Sequence, residues 1–326
     1  MAKYRTYEPK PEFIERMKLL LKDEADVKEF FETAKTRPRK SIRVNTLKTS
    51  PEELIKTLKE KKWEITQLPD NPEIIQIQSE LQPGELGTTI EHILGYYYSQ
   101  EITSMMPILA LQPEASDTLL DVAAAPGSKT TQAAALMKNQ GTIIANDVSM
   151  PRVSILAANL ERAGVTNTIV TRHDGSALCE RLKQSKLRPN KILADVPCSG
   201  EGNIRVSPRT FLEWNEKIFK RFSKLQKKIA SSALEILQPG GEMIYSTCTH
   251  APEENELVLQ SLLDNFDIEI QEITLPIKSR PGIIKWKDKT LSPELKKAHR
   301  IYHHDNDLEG FFVCKIKKLS DKTKEK

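Results

Sequence analysis

The chain has 326 residues, 38% of them hydrophobic, a net charge of +4 and four cysteines. That is long enough for about two globular domains, and with no uninterrupted run of 18 apolar residues it offers no membrane-spanning helix. The cysteines (Cys179, Cys198, Cys248, Cys314) are scattered and form no Cys-x-x-Cys pair, which argues against a disulfide scaffold, a zinc site or any other metal centre; the opening ten residues lack the apolar core of a secretory leader, so a reducing cytoplasm, where free thiols can be reactive, is the expected compartment.

Residues 10–35 read as helices. Phe13, Met17, Leu20 and Leu21 share one stripe, and Val27, Phe30 and Phe31 continue it. Arg37-Pro38 breaks the pattern. Ser41-Ile-Arg-Val-Asn-Thr46 then alternates as a strand, with Arg43 and Asn45 on its polar face. Ser50-Pro-Glu-Glu53 starts a helix, with proline at its first position and acids in its first turn. Residues 63–68 and 73–78 are two further strands, so 41–104 forms a small α+β unit with a polar, partly basic sheet face. Tyr96, Tyr97 and Tyr98 follow in a row; core and interface positions explain them better than base stacking.

Beyond Ser104 the rhythm becomes strand–helix alternation. Short apolar strands at 118–122, 142–147, 167–171, 191–195 and 242–246 are separated by helical stretches, among them 130–137, 151–163 and 218–237. This pattern predicts a doubly wound, mostly parallel sheet. Residues 301–303 and 310–315 would close it as an antiparallel pair. Basic residues crowd at Arg37, Arg39, Lys40, Arg43 and Lys48, again at Lys59, Lys61 and Lys62, and from Arg205 to Lys228. Such patches suit a polyanion such as nucleic acid, or are simply solvated faces. On the helix at 218–237, Ile218, Phe222, Leu225 and Ile229 form the expected apolar stripe, beside Lys217, Lys220, Arg221, Lys224 and Lys228.

The chemistry concentrates at strand ends. Asp121-Val-Ala-Ala-Ala-Pro-Gly-Ser-Lys129 turns from a strand into a helix through small residues, which admit a ligand close to the backbone and to free N–H groups. It lacks the glycines of a P-loop or a dinucleotide fingerprint, so a ligand carrying adenosine without phosphates fits better. Asp147 lies twenty residues after Gly127, where an acid accepts from both ribose hydroxyls. Asp174 can accept from an adenine amine. With Asp121 and Asp195 these make four acids at strand ends, suited to a sulfonium with an α-ammonium; together they point to S-adenosylmethionine.

Two strands end in cysteine: Asp195-Val-Pro-Cys198 and Ser246-Thr-Cys248. A thiolate can add to C6 of a pyrimidine and make C5 nucleophilic toward a methyl group, and Asp195 can hydrogen-bond the base. Spacing places both thiols at one pocket without saying which attacks. Cys179 and Cys314 read as small buried hydrophobes.

These residues resemble the Nop/Sun (Sun/Fmu-type) RNA cytosine-C5 methyltransferases over about residues 41–315. The resemblance is carried by Arg43-Val-Asn-Thr-Leu47, Gln100 with Ser104-Met105, Ala123-Ala-Ala-Pro-Gly-Ser-Lys129, Asn146-Asp147, Asp195-Val-Pro-Cys-Ser-Gly-Glu-Gly202, Ser246-Thr-Cys-Thr249 with Glu253-Glu-Asn-Glu256, and Gly310-Phe-Phe312. It implies a Rossmann-like class I methyltransferase domain at 105–318, preceded by the RNA-recognition-like unit at 41–104; the apolar stripes make 1–40 a helical segment, and the Lys-rich composition makes 319–326 a disordered basic tail. It further implies that Cys248 attacks C6, that Cys198 assists product release and that Asp195 stabilises the activated cytosine. Ala123, Ala124, Ala125, Pro126, Gly127, Ser128, Lys129, Asp147, Arg152, Asp174 and Asp195 would hold S-adenosylmethionine. The expected substrate is RNA, tRNA ahead of rRNA; a non-catalytic RNA-binding scaffold with the same fold is the alternative of another class.

Overall fold

The computed structural model describes residues 6–323. The strands in chain order are β1 (Ser41–Val44), β2 (Ile65–Leu68), β3 (Asn71–Ile77), β4 (Tyr97–Ser99), β5 (Thr118–Asp121), β6 (Thr142–Asn146), β7 (Thr168–Thr171), β8 (Lys191–Asp195), β9 (Glu242–Thr247), β10 (Phe266–Gln271), β11 (Arg280–Pro281), β12 (Lys285–Trp286), β13 (Lys289–Thr290), β14 (His299–Ile301) and β15 (Phe311–Thr323).

The first four make an antiparallel sheet in the order β2-β3-β1-β4. The helix Pro51–Glu60 packs Leu54 and Leu58 against Ile42, Val44, Ile75, Ile77 and Tyr97. Its start is fixed by a reciprocal box in which Ser50 and Glu53 each satisfy the other's backbone N–H. The polar face expected for β1 is not a solvent face. All four β1 residues are buried, because Arg43 docks on the turn that opens the helix Ser128–Leu136: it donates to the Ser128 carbonyl and to Thr131 Oγ1, both at 2.7 Å, and to Gln100. Lys48 is also committed, donating to the carbonyls of Leu94 and Arg162 at 2.9 and 2.8 Å. Tyr97 is core, and Tyr98 reaches the Pro126 carbonyl at 3.3 Å.

The large sheet runs β11-β14-β15-β9-β8-β5-β6-β7, with β10 on the free stretch of β15. Strands β9, β8, β5, β6 and β7 are mutually parallel, and β15 joins β9 antiparallel. This is the Rossmann-like arrangement expected. The central strands are apolar on both faces: Leu119, Leu120, Ile143, Ile192, Leu193, Met243 and Ile244 are all buried, as a parallel sheet covered by helices requires.

Two further expectations are corrected. The tail expected to be disordered from residue 319 is strand as far as Thr323, because β15 pairs with β10 down to Phe266 opposite Thr323; the remaining residues, 324–326, lie outside the described residues. The buried face of the helix Lys217–Ile236 is rotated from the expected stripe: Phe219, Gln226, Ile229, Ala230 and Ala233 are inside, while Ile218, Phe222 and Leu225 are half-exposed. The N-terminal helices Pro11–Leu21 and Glu24–Ala34 cover the far flank of the large-sheet unit, where Phe13, Met17 and Phe30 pack with Phe211, Trp214 and Tyr302. No helix among the described residues is long and apolar enough to cross a membrane.

Candidate active site

The carboxyl edge of a parallel sheet gathers the loops that leave each strand, and open α/β sheets bind ligands there. Asp121 and Asp195 are the last residues of β5 and β8, Asp147 directly follows β6, and Asp174 lies three residues beyond β7. They do not play equal parts. Asp121 is 1% exposed and accepts from Thr130 Oγ1 at 2.7 Å, and burial pushes its carboxyl up to about 7; it ties β5 to the helix that follows. Asp147 is buried, accepts from the Ser149 N–H at 3.0 Å, and has its second oxygen 3.3 Å from Arg152. Asp174 is half-exposed and caps the helix Gly175–Gln184, accepting from the N–H groups of Ser176 and Ala177 at 3.1 Å.

Between β5 and its helix, residues 123–127 form the expected turn. Gly127 sits at φ +103°, a conformation that an L side chain rarely adopts, and a Cβ there would come within 2.9 Å of Leu156. The turn is held from outside: Arg152 reaches the Ala125 carbonyl, Asn159 donates to the Pro126 carbonyl at 2.8 Å, and Arg43 grips Ser128. The buried acceptor of Asp147 beside this small-residue turn fits an adenosine-bearing ligand. Asn146 is a support that sequence reasoning left unexplained. It donates to the carbonyls of Val122 and His173 and accepts from Thr171 Oγ1 and the His173 N–H, all at 2.9–3.1 Å, so one amide ties together the ends of β5, β6 and β7.

The two sequence-distant thiols meet. Cys198 Sγ and Cys248 Sγ are 3.1 Å apart. Asn203 donates to Cys248 Sγ at 3.2 Å. The hydrogen bond with Cys198, then the Lys129 charge and the Asn203 amide, hold the Cys248 thiol below the ordinary range against burial and the Asp195 charge. Cys198, which gives that hydrogen bond and is itself buried, is pushed well above it. Of the two, Cys248 is the thiol that its surroundings lower. Lys129 turns toward the thiols rather than along the small-residue turn: its Nζ pairs with Asp195 Oδ2 at 2.8 Å and donates to Ser104 Oγ at 2.9 Å. Asp195 Oδ1 accepts from Ser246 Oγ at 2.7 Å. Cys179 and Cys314 are buried away from this centre, and burial pushes the Cys179 thiol up to about 12 and raises that of Cys314 as well.

Beneath the thiols lies a polar network. Glu254 accepts from the Ser199 N–H at 3.0 Å and from Gln226 at 2.7 Å, and Gln226 also donates to the Pro197 carbonyl at 2.9 Å. Glu201 accepts from Trp214 Nε1 at 2.7 Å and from Thr249 at 3.2 Å. Arg300 clamps Glu256 with two contacts at 2.6 and 2.5 Å and reaches the His250 carbonyl at 2.9 Å. Two of these acids belong to the Glu253–Glu256 motif, so that motif shapes the turn after β9.

A cavity of about 280 Å³ opens beside Cys248, lined by Glu101, Ser104, Lys129, Asp195, Asn203, Glu309 and Phe311 among others. At the low end of small-ligand pockets, roughly 300–1,000 Å³, it has room for a single base. It adjoins a wider groove of about 530 Å³ that shares Glu101 and Val206 with it and is lined by Arg37, Arg39, Lys40 and Arg209.

Comparison with known proteins follows the same lines. Residues 108–317 match the family model for 16S rRNA methyltransferase RsmB/F, and residues 10–102 match the model for the N-terminal domain of 16S rRNA methyltransferase RsmF. A ribosomal RNA small subunit methyltransferase F from Vibrio parahaemolyticus is 38% identical over 310 residues, covering 94% of this chain and 62% of that protein; the chain thus spans less than two thirds of that relative's length. A tRNA (cytosine(49)-C(5))-methyltransferase from Pyrococcus abyssi is 42% identical over 86% of this chain and 88% of its own. Among solved structures, a methyltransferase homologue from Pyrococcus horikoshii superposes with a TM-score of 0.79 at 33% identity, over 95% of this chain and all of that one.

Proposed function

The chain belongs to the RsmB/F family of RNA methyltransferases, the family its motifs resemble, and on that premise we propose that it methylates C5 of cytosine in RNA, with Cys248 as nucleophile and S-adenosylmethionine as methyl donor. The observation that carries this reading is the pair of thiols 3.1 Å apart beside the Lys129–Asp195 ion pair. C5 of cytosine is a poor nucleophile until a thiolate adds at C6, and Cys248 is the thiol whose surroundings favour the thiolate. Cys198, whose thiol is raised well above the ordinary range, would assist release of the product. Asp195, paired with Lys129, can accept from the exocyclic amine of the base.

The residues at 123–127, with Asp147 and Arg152 beside them and Asp174 farther out, would hold S-adenosylmethionine, which when bound supplies an electrophilic methyl group. What the chain itself does is orient the base, keep the thiolate and the acid apart through Lys129, and exclude bulk water from the cavity. The target base has to leave its stack to reach Cys248, and the groove lined by Arg37, Arg39, Lys40 and Arg209 offers the flanking phosphates a positive path.

We favour tRNA as substrate because the tRNA-modifying relative is matched along most of its own length. A second reading, 16S rRNA, draws support from the match of residues 10–102 to the RsmF N-terminal domain. Purified protein with methyl-labelled cofactor and, separately, total tRNA or 16S rRNA should place label in 5-methylcytosine. Label on an exocyclic nitrogen would sink the mechanism; cofactor binding with no transfer to either RNA would mean a non-catalytic scaffold.

A further inference from the structure

One acid in the base-sized cavity has no part in the scheme above. Glu309 lies just before β15, is 2% exposed, and neither of its carboxyl oxygens has a hydrogen-bond partner. The Val206 N–H is near it but outside hydrogen-bond geometry. Its own backbone N–H donates to Glu101 Oε1 at 3.3 Å, so its side chain is anchored at the root and unsatisfied at the tip. Glu309 lines the same cavity as Cys248, Asn203, Lys129 and Asp195.

Burying an unpaired carboxylate is too costly to be sustained, so such a group stays protonated or waits for a ligand. Burial and the neighbouring Glu101 push Glu309 up to about 9, with the Cys248 charge adding and Arg205 opposing. Every other acid at the cavity is already engaged. Asp195 accepts from Ser246 through one oxygen and pairs with Lys129 through the other. Glu101 accepts from the N–H groups of Thr103 and Ser104 at the start of its helix. The Asn203 amide already donates to Cys248.

A cytosine presents one amine donor, at N4, and two acceptors, at N3 and O2. Asp195 suits the amine. We propose that Glu309, as a neutral carboxylic acid, is the general acid that donates to N3 of the cytosine. The inference rests on the reading of the pocket as a cytosine-C5 site. As the Cys248 sulfur bonds to C6, the C5=C6 pair becomes a C4=C5 bond and the C4=N3 pair moves to N3. N3 takes the Glu309 proton, leaving a carboxylate. In elimination C5 gives its proton to water, the C5–H pair becomes the C5=C6 bond as the C6–S pair leaves on the Cys248 sulfur, and the N3 proton returns to Glu309. No oxidant or further reactant is needed. The carboxylate formed midway is not stranded, because the N3–H then donates to it.

The test needs no methyl donor. Reversible addition of Cys248 at C6 should release tritium from [5-³H]cytosine in RNA, since C5 of the adduct exchanges with water. Wild-type protein should show this exchange; if it does not, the cytosine-C5 reading itself fails, independently of Glu309. Given exchange by wild type, Glu309→Gln keeps shape and a donor but cannot transfer a proton. It should slow exchange roughly a hundredfold with RNA affinity and melting temperature unchanged, and Glu309→Asp should recover part of the rate. Wild-type exchange should also fall at high pH as Glu309 ionises, a limb absent in Glu309→Gln. Exchange by Glu309→Gln at the wild-type rate, or a loss matched by an equal loss of RNA binding or of thermal stability, would overturn the proposal.

Discussion

Gly310 N–H donates to the Gly202 carbonyl at 2.9 Å, and Gly202 N–H in turn donates to the Cys248 carbonyl at 2.9 Å. Three sequence-distant segments are thereby locked together at the backbone of Cys248. The approach leaves no room for a side chain: a Cβ on Gly202 would lie 2.1 Å from the Gly310 carbonyl oxygen, and one on Gly310 would lie 2.4 Å from the His250 ring. Gly310→Ala is therefore expected to cost about 1–3 kcal/mol by overpacking, seen as a lower melting temperature. Methyl transfer should fall further than folding does, because Cys248 and Glu309 both move with this junction. A variant with wild-type melting and turnover would show that the junction yields freely.

The unequal thiols call for unequal mutants. Cys248→Ala should abolish methylation and leave no covalent RNA complex. Cys198→Ala should still add to the base, but should release product slowly and accumulate a protein–RNA adduct, visible as a retarded band on a denaturing gel. Exchanged phenotypes would reverse the assignment of roles.

Alkylation reads the same asymmetry without substrate. A thiol held below its ordinary value is deprotonated, and so reactive, at a lower pH than a free cysteine. Cys248 carboxymethylation by iodoacetate, followed by mass spectrometry, should reach half its maximal rate below the ordinary thiol value of 9.0. Cys198, raised by the neighbouring Cys248 and by burial, should react only above it. Asn203→Ala removes a donor to the thiolate, so the Cys248 curve should move toward higher pH. A curve unmoved by Asn203→Ala would exclude the amide from stabilising the thiolate.

The parts of this arrangement that sequence made legible are those with local signals. The apolar strands, each ending in Asp or Cys, announced a parallel sheet and a reactive edge, and β5, β8 and β9 lie where their residues placed them. What stayed hidden depends on partners far along the chain. Arg43 read as a surface cation on an alternating strand, and nothing nearby signals that its partners are Ser128 and Thr131, 85 and 88 residues away. Gln226 carries no local signal of burial, yet it is buried because it bridges Pro197 and Glu254. Glu309 passed unnoticed because an acid before Gly-Phe-Phe carries no pattern of its own; only the cavity around it gives it meaning.

Arg43 yields a prediction from that hidden link. Its guanidinium spans Gln100, the Ser128 carbonyl and Thr131, joining the small sheet to the turn proposed to hold the methyl donor. Lysine keeps the charge but not the fork. Arg43→Lys should leave the fold intact while weakening S-adenosylmethionine binding about tenfold, or ~1.4 kcal/mol, by calorimetry. Arg43→Ala strands several buried acceptors, at about 1–3 kcal/mol for each left unsatisfied, and should also lower the melting temperature. Unchanged cofactor affinity in both variants would mean that the turn holds its shape without the small sheet.

The groove beside the base cavity makes a separate claim about RNA. Arg37, Arg39, Lys40 and Arg209 are exposed and border it, whereas the basic residues of the helix Lys217–Ile236 do not. If phosphates lie in the groove, each contact removed should lower the slope of log affinity against log salt by about 0.7 for single-stranded RNA. Arg37→Ala with Lys40→Ala should then reduce the slope by about 1.4 and weaken RNA binding. Lys220→Ala with Lys224→Ala removes the same charge from elsewhere on the surface, and should change the slope much less. An equal effect from the two pairs would point to diffuse attraction by net charge, and a larger effect from the helix pair would move the RNA path to that helix face.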